Sequence, residues 1–264
     1  MSRARIGLVV LLLVIGGGIL WGVLSPNREP GSPEVAQAKG VSLVGYDAAG
    51  KKAWEMTAAS GSMKGSAGSF DEVAIDFFGE GGPLHATGKA LAFADHQATL
   101  SGGVAVTRGS DYALSTDGIT WDESQDALLA QTVSITVASG RIAAQGFRYD
   151  LSSGRSQLSG SVHATVDDPA AYTVSGAAAT EEAGVVTVSG GVTITGKNAD
   201  YTCGRLEYVS DTKTVRLLDG VDGTLSDGEV HAGEVVLSAD GGTTAAGGVT
   251  VRLDAGFFGG KDGA

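Results

Sequence analysis

Apolar and polar residues alternate along most of the chain after residue 40. Valine, isoleucine or leucine takes every second position in the segments 104–106, 133–137, 192–194 and 249–253. A period of two places apolar side chains on one face of a β-strand and polar side chains on the other. Stretches rich in aspartate, serine and glycine separate these segments, as turns between strands require. No part of the chain beyond residue 24 has a sustained helical period, so we predict an all-β fold there.

A short signature repeats through these strands. Leu100-Ser-Gly-Gly-Val104 reappears as Val188-Ser-Gly-Gly-Val192, with weaker copies between and beyond them. Its valine belongs to a column with intervals of 28 to 31 residues: Val44, Val73, Val104, Val133, Val162, Val192, Val221 and Val249. A second column has intervals of 28 to 30 residues: Trp54, Leu84, Tyr112, Ile142, Tyr172, Tyr201 and Val230. Two residues after each of these lies another small or apolar residue: Met56, Ala86, Leu114, Ala144, Val174, Cys203 and Ala232. Such a period predicts stacked units of two or three short strands, whose apolar faces form one stripe.

The signature also predicts which residues face the interior. Gly102 falls on the same face as Leu100 and Val104, and we expect it to leave room inside the stack. Cys203 is the only cysteine of the chain, which excludes an intrachain disulfide. Because it shares its position in the repeat with Leu114 and Val174, we interpret it as a small apolar residue.

Composition supports strands joined by tight turns. The chain has 42 glycines among its 264 residues, and aromatic residues make up 6%. The net charge is -12, and the sequence contains no basic run. Nucleic-acid binding requires clustered lysine and arginine, so this class of function is excluded.

The N-terminal segment predicts a membrane anchor. Residues 6–24 are uncharged and largely aliphatic, and at about 1.5 Å per residue a helix of this length matches the hydrocarbon thickness of a bilayer. Because Arg3 and Arg5 precede it, we place residues 1–5 in the cytoplasm and the rest outside it. A cleaved signal peptide is the competing interpretation, with a site at Ala36-Gln-Ala38. Residues 25–40 form a predicted extended linker, and 255–264 a flexible C-terminus.

The sequence offers little for catalysis or metal binding. His85, His96, His163 and His231 lack metal-ligand spacing, and we expect solvated strand faces for them. The acidic turn that contains Asp122 and Asp126 fits ordinary turn chemistry. No nucleophile, phosphate-binding loop or dinucleotide motif is present. We therefore predict a protein that is not an enzyme and needs no cofactor or metal.

Several motifs, taken in order, resemble the LptC family of lipopolysaccharide export. Asp47-x-x-Gly50-x-x-x-Trp54-x-Met56-x-Ala58 comes first, and Leu100-Ser-Gly-Gly-Val104 precedes Tyr112-x-Leu114-x-Thr116-x-x-Ile119-x-Trp121-Asp122. Gly146-Phe147-x-x-Asp150 and Leu158-Ser-Gly-Ser-Val162 complete the pattern. Residues 41–168 form this LptC-like region. Residues 169–254 are similar to the LptA or OstA-like bridge domain, through Val188-Ser-Gly-Gly-Val192 and Asp200-Tyr-x-x-x-x-Leu206-x-Tyr208.

The resemblance implies an elongated, twisted β-jellyroll, often called a β-taco, of stacked short antiparallel strands after one transmembrane helix. It implies an inner-membrane protein with one span, a cytoplasmic N-terminus and a periplasmic bulk. The implied partners are lipopolysaccharide, the inner-membrane ABC transporter that supplies it, and a downstream LptA-like or outer-membrane β-jellyroll joined by strand pairing. The implied acyl-chain groove is lined by Trp54, Met56, Leu84, Val104, Val106, Tyr112, Leu114, Val133, Ile135, Ile142, Phe147, Val162, Tyr172, Val174, Val192, Ile194, Tyr201 and Cys203.

Other interpretations remain open. A structural β-solenoid of the cell envelope would have the same repeat but a closed, dry interior without lipid. A polysaccharide-active enzyme would carry acidic residues on adjacent rungs beside a basic residue, and the sequence shows no such set. Trp54 fits either a lipid contact or packing at a strand end, and packing is the favoured interpretation for Trp121.

Overall fold

The computed structural model describes the chain from residue 36 to residue 253, with short gaps. The described ranges are 36–46, 50–78, 83–110, 112–122, 124–137, 140–150, 152–166, 172–197, 199–226, 228–238 and 242–253. The predicted cytoplasmic segment, membrane helix and C-terminal tail lie outside them, as does most of the predicted linker. Within the described ranges, no helix has the length and apolar character needed to cross a membrane.

The described residues form eighteen β-strands. They are β1 (Ala36–Tyr46), β2 (Lys52–Lys64), β3 (Ala67–Phe77), β4 (Leu84–Ala94), β5 (Gln97–Arg108), β6 (Tyr112–Asp122), β7 (Ala127–Ala130), β8 (Val133–Val137), β9 (Gly140–Ala144), β10 (Gly146–Asp150), β11 (Ser156–Val166), β12 (Tyr172–Glu182), β13 (Val185–Gly196), β14 (Ala199–Val209), β15 (Thr214–Leu225), β16 (Gly228–Leu237), β17 (Thr243–Ala246) and β18 (Thr250–Leu253). β1 begins five residues before the predicted start at Val41. The strands belong to two compact units. β1–β8 and β10 lie in the first unit, and β9, β11 from Gln157 and β12–β18 lie in the second.

The first unit is an antiparallel meander. Each of the strands β1 to β6 pairs with the next one along the chain. β6 then pairs with two short strands, using residues 120–122 for β7 and residues 112–115 for β8. β10 pairs with the other edge of β7. β6 is therefore a long strand whose neighbour is split in two.

The second unit has the same plan. β12 to β16 form a meander, and β9 pairs with β11. β16 pairs with two short strands, through residues 234–237 with β17 and residues 228–231 with β18. All of these pairings are antiparallel, which confirms the predicted all-β class.

β-Bulges recur in both units and explain the signature of the sequence. In most repeats, a residue with a φ of 51° to 83° lies at the bulge: Gly40, Glu72, Gly103, Ser161, Gly191, Gly220 and Gly248. We call this set the bulge line. The register shifts beside it, for example between Ser101 and Val104. An extra residue bends a strand without ending its pairing. The prediction of short strands is therefore wrong, since most strands have 10 to 13 residues.

The valine after the bulge faces the interior. Val73, Val104, Val133, Val162, Val192 and Val221 are all buried, as the column predicts. Val44 is 40% exposed, because it lies opposite Glu55 on the outer face. Gly40 is the positive-φ residue of β1, so the true member of the column is Val41. The prediction for Val44 was wrong because the first interval is longer than the others.

The expected interior position of Gly102 is also wrong. Gly102 and Gly103 have φ values of 85° and 80°, and both are exposed. A Cβ atom on Gly102 would lie 2.6 Å from the Cβ of Lys89, whereas one on Gly103 would meet nothing within 4 Å. The two glycines therefore permit the bulge and do not enlarge the interior.

The outer faces of the strands are polar, as alternation predicts. His163 is exposed, and His96 lies exposed in a turn. The Nδ1 atoms of His85 and His231 lie 2.7 Å and 2.6 Å from carboxylate oxygens of Asp76 and Asp222 on the neighbouring strands. These contacts are exposed cross-strand pairs at equivalent places in the two units.

The bulge predicts different costs for two neighbouring substitutions. Left-handed backbone costs an L-residue about 1–2 kcal/mol, so Gly103→Ala should lower the free energy of unfolding by that amount. Gly102→Ala should cost more, because its Cβ also meets Lys89. Ala105→Ser, at an exposed position on the same strand, should change stability by less than about 0.5 kcal/mol. Urea denaturation of the purified protein measures all three, and an unchanged midpoint for Gly103→Ala would contradict the bulge geometry.

Candidate functional site

The bulge line divides each unit into two arms. We call the strand segments on its valine side arm A and those on the other side arm B. In the first unit, arm A comprises 41–46, 52–58, 73–77, 84–87, 104–108, 112–116 and 133–137. In the second unit, arm A comprises 140–144, 162–166, 172–175, 192–196, 199–203, 221–225, 228–232 and 250–253. Both arms bury inward residues, for example Val104 on arm A and Leu100 on arm B.

Most of the predicted lining residues are buried. The fully buried members are Trp54, Met56, Leu84, Val104, Val106, Leu114, Val133, Phe147, Val162, Val174, Val192 and Cys203. All except Phe147 lie on arm A. Phe147 pairs with Ala130 of β7 and so lies on arm B, across the bulge line from the others. We call the eleven buried residues on arm A the floor.

Six predicted lining residues are only half-buried, and all lie on arm A. They are Tyr112, Ile135, Ile142, Tyr172, Ile194 and Tyr201, and we call this set the rim. Register joins rim to floor: Ile135 lies opposite Leu114 in the first unit, and Ile194 lies opposite Val174 in the second. Each unit thus has an apolar surface in which buried floor residues adjoin partly exposed rim residues.

Glycines give the aromatic side chains of arm A their space. A Cβ atom on Gly223 would lie 2.7 Å from ring carbons of Tyr201, and one on Gly45 would lie 2.0 Å from the Nε1 of Trp54. The ring of each aromatic residue therefore lies over the backbone of the neighbouring strand, where only glycine fits. Trp54 is buried by this packing, and Trp121 is buried on arm B.

The rim tyrosines are held in their neutral form. Burial raises the pKa of Tyr112 to about 12, although the nearby positive charge of Arg108 acts in the opposite direction. Burial also raises the pKa of Tyr201. The pKa of Tyr172 is raised by burial and, to a smaller extent, by the electrostatic effect of Tyr208. A neutral tyrosine presents an apolar ring with one hydroxyl donor, a combination suited to a boundary between apolar and polar surroundings.

Arg108 was not among the predicted lining residues. It follows Val104 and Val106 at the same period of two and pairs with Tyr112 across β5 and β6. Its position is therefore on the inner face of arm A, where it is half-buried beside the rim. The alternation of Val104, Val106 and Arg108 indicates an inward position for Arg108. The rule that polar side chains face outward gave the opposite expectation.

One surface cavity lies away from this site. It has a volume of about 460 Å³ and is lined on arm B of the first unit by Phe93, by the polar residues Ser62, Lys64, Ser69, Gln97 and Thr99, and by neighbouring small residues. None of the predicted lining residues contributes to it.

The acidic residues of the turns act in local structure. The Ser124 hydroxyl, the Gln125 side chain and backbone N–H and the Gln97 amide donate hydrogen bonds to Asp122, and these hold its pKa at about 2. Asp150 accepts equivalent bonds from Ser152 and Ser153, with a pKa of about 2. In the described ranges, no three histidine, cysteine or acidic residues are grouped so that they could hold a metal ion.

A comparison with protein families finds one match. The family model described as LptC: Lipopolysaccharide-assembly, LptC-related matches residues 7–167, more than half of the 264 residues. Strands β1 to β11 lie within the matched residues, and β12 to β18 lie beyond them. No curated protein matches the chain.

Titration of Tyr112 tests the burial of the rim. Because the pKa is raised in the folded state above the usual value of about 10, Tyr112 stabilises the fold below that pH and loses this contribution as the pH rises towards 12. The free energy of unfolding of the unaltered protein should therefore fall more steeply over this range than that of Tyr112→Phe. Urea unfolding at a series of pH values measures the two slopes, and equal slopes would show that Tyr112 is solvated.

Proposed function

Because the chain belongs to the family of LptC-related lipopolysaccharide-assembly proteins, which act in lipopolysaccharide transport, we propose that it carries lipopolysaccharide without catalysing a reaction. In this proposal the acyl chains lie on arm A, between the buried floor and the half-exposed rim. The observation that carries it is the rim itself: six apolar or aromatic residues at inward positions of arm A are less completely buried than the floor. Ordinary core packing would bury them as fully as it buries the floor.

The apolar contacts that the rim can make suit a lipid that moves along the protein. Removing one acyl CH₂ group from water is worth about 0.8 kcal/mol, so several shielded chains contribute a large total. Contacts with valine, isoleucine and tyrosine rings are weak, numerous and without direction. A lipid can therefore shift along equivalent repeats with little change in energy, whereas a pocket with many fixed polar anchors would hold it in one place.

The proposal also assigns roles to the N-terminal segment and to the C-terminal region of the chain. We propose that residues 6–24 anchor it in the inner membrane, with residues 1–5 in the cytoplasm, and that the ABC transporter of the system loads the lipid. The twisted, partly open β-jellyroll is the architecture that we propose for the two units. Residues 169–254 would then be a fused bridge domain that extends the LptC-like region.

The last strand supports docking of a further β-jellyroll. Val249, Val251 and Leu253 occupy the inward positions equivalent to Val133, Ile135 and Val137, yet they are 44%, 55% and 37% exposed. Among the described residues, only β16 is paired with β18. An exposed strand edge with an uncovered apolar face fits β-augmentation by a partner strand.

Photo-crosslinking tests the lipid path. A crosslinking amino acid at Tyr112, Ile135 or Tyr172 should capture lipopolysaccharide in cells that assemble the system, because these side chains face the proposed path. Thr136 and Thr173 are matched controls: they are exposed neighbours of Ile135 and Tyr172 on the opposite face. Equal labelling at the controls, or no labelling at the rim, would favour a solenoid without lipid cargo.

A charge on β18 tests the docking edge. Val251→Lys should leave folding intact, since this side chain is 55% exposed, but should abolish pairing with a downstream LptA-like protein by placing a charge in the apolar contact. Val44→Lys, on the outer face of β1, should not affect this pairing. Crosslinking between cysteines introduced in β18 and in the purified partner measures the pairing, and wild-type crosslinking by Val251→Lys would contradict the proposed edge.

A further inference from the structure

Arg108 breaks an otherwise apolar column. It lies five residues after the bulge residue Gly103, on the inner face of arm A. The equivalent residues of the other repeats are Gly45, Phe77, Val137, Val166, Gly196, Leu225 and Leu253. All of these are apolar or glycine. A cation at this position therefore requires a reason other than the alternation of the strand.

The surroundings leave the guanidinium incompletely satisfied. The Nε atom of Arg108 is buried and has no hydrogen-bond partner among the described residues. No carboxylate of the described residues forms an ion pair with Arg108, whereas Arg216 on the outer face of the second unit pairs with both Glu207 and Glu234. A buried donor without an acceptor is costly, and a bound acceptor removes that cost.

Tyr112 supplies a second polar group at the same place. It lies directly opposite Arg108 in the pairing of β5 with β6. Its hydroxyl is protonated at physiological pH, as that of any tyrosine is, and the raised pKa of about 12 extends this range to higher pH. Arginine presents planar donors that match phosphate oxygens, and a neighbouring hydroxyl adds another donor.

Apolar residues adjoin these donors on the bulge-line side. Val106 precedes Arg108 by two residues on β5, and Leu114 follows Tyr112 by two on β6, opposite Val106. Both are buried parts of the floor. The same short stretch of arm A thus offers donors for an anion and, next to them, an apolar surface.

We propose that Arg108 and Tyr112 bind the phosphate of an anionic glycolipid head while its acyl chains lie against the floor. This inference rests on the proposed lipid path and adds a polar recognition point to it. A lipid phosphate fits better than free phosphate, because the surface formed by Val106 and Leu114 beside the donors is apolar.

Equilibrium binding to the full chain in non-ionic detergent tests the inference. The probes are radiolabelled lipid A with two phosphates, the same lipid with both phosphates removed, and inorganic phosphate as competitor. Arg108→Gln should weaken binding of the phosphorylated lipid about ten-fold, as loss of a charge-assisted hydrogen bond does. Its affinity for the dephosphorylated lipid should not change. Tyr112→Phe should weaken binding of the phosphorylated lipid about three-fold.

The control is Arg141→Gln, which makes the same change of charge at an exposed position on β9. It should bind both lipids like the unaltered protein. Arg108→Lys keeps the charge without the planar donors and should give an intermediate loss, which provides a second test if Arg108→Gln does not fold.

The outcomes separate the inference from the proposed function. If the unaltered protein binds neither lipid, the proposed function itself fails. If the unaltered protein binds both lipids and Arg108→Gln binds each of them with the same affinity as the unaltered protein, the proposed lipid path is supported and the phosphate site is overturned. Displacement of the lipid by inorganic phosphate at similar concentrations would show a site for free anions, which also overturns the inference.

Discussion

Every second long strand of each unit contains a residue with positive φ, and the division of the strands into two arms depends on it. A flat antiparallel meander has two faces and needs a second layer to cover the apolar one. Here the strand segments on both sides of the bulge line bury their inward residues. The recurrence of glycine at this line has a conformational cause, since an L-residue is strained there.

The inward positions of arm A differ in exposure from strand to strand. Residues such as Met56, Leu84 and Val104 are buried almost completely. Ile135 and Tyr201, also at inward positions, are partly exposed. One repeated pattern therefore serves as core in some strands and as accessible apolar surface in others.

The repeat made much of this predictable from sequence. The valine column identified six buried positions, and the second column with its neighbours identified the other residues of arm A. The failures have specific causes. Val44 was misassigned because the first interval of the repeat is longer, and Gly102 because alternation does not hold across a bulge. The strands looked short because the signature interrupts the apolar pattern, although hydrogen bonding continues through it.

The position of Arg108 could not be predicted from the sequence pattern alone. The alternation of the strand places it on the inner face, whereas its charge favours the outer face. The buried Nε atom shows that the residue lies on the inner face. The division between floor and rim could not be predicted from the sequence either, since Leu114 and Ile135 are both aliphatic at inward positions and differ only in their exposure.

The exposed inner face of β18 bears on how the protein must be handled by the cell. Repeat proteins normally finish with a polar capping unit, which keeps the last interface from associating at random. β18 instead ends the described strands with Val249, Val251 and Leu253 uncovered. Under the proposed docking, the solubility of the chain depends on the supply of the partner strand that covers β18. An excess of the chain over that partner is then expected to aggregate through the exposed apolar face of β18.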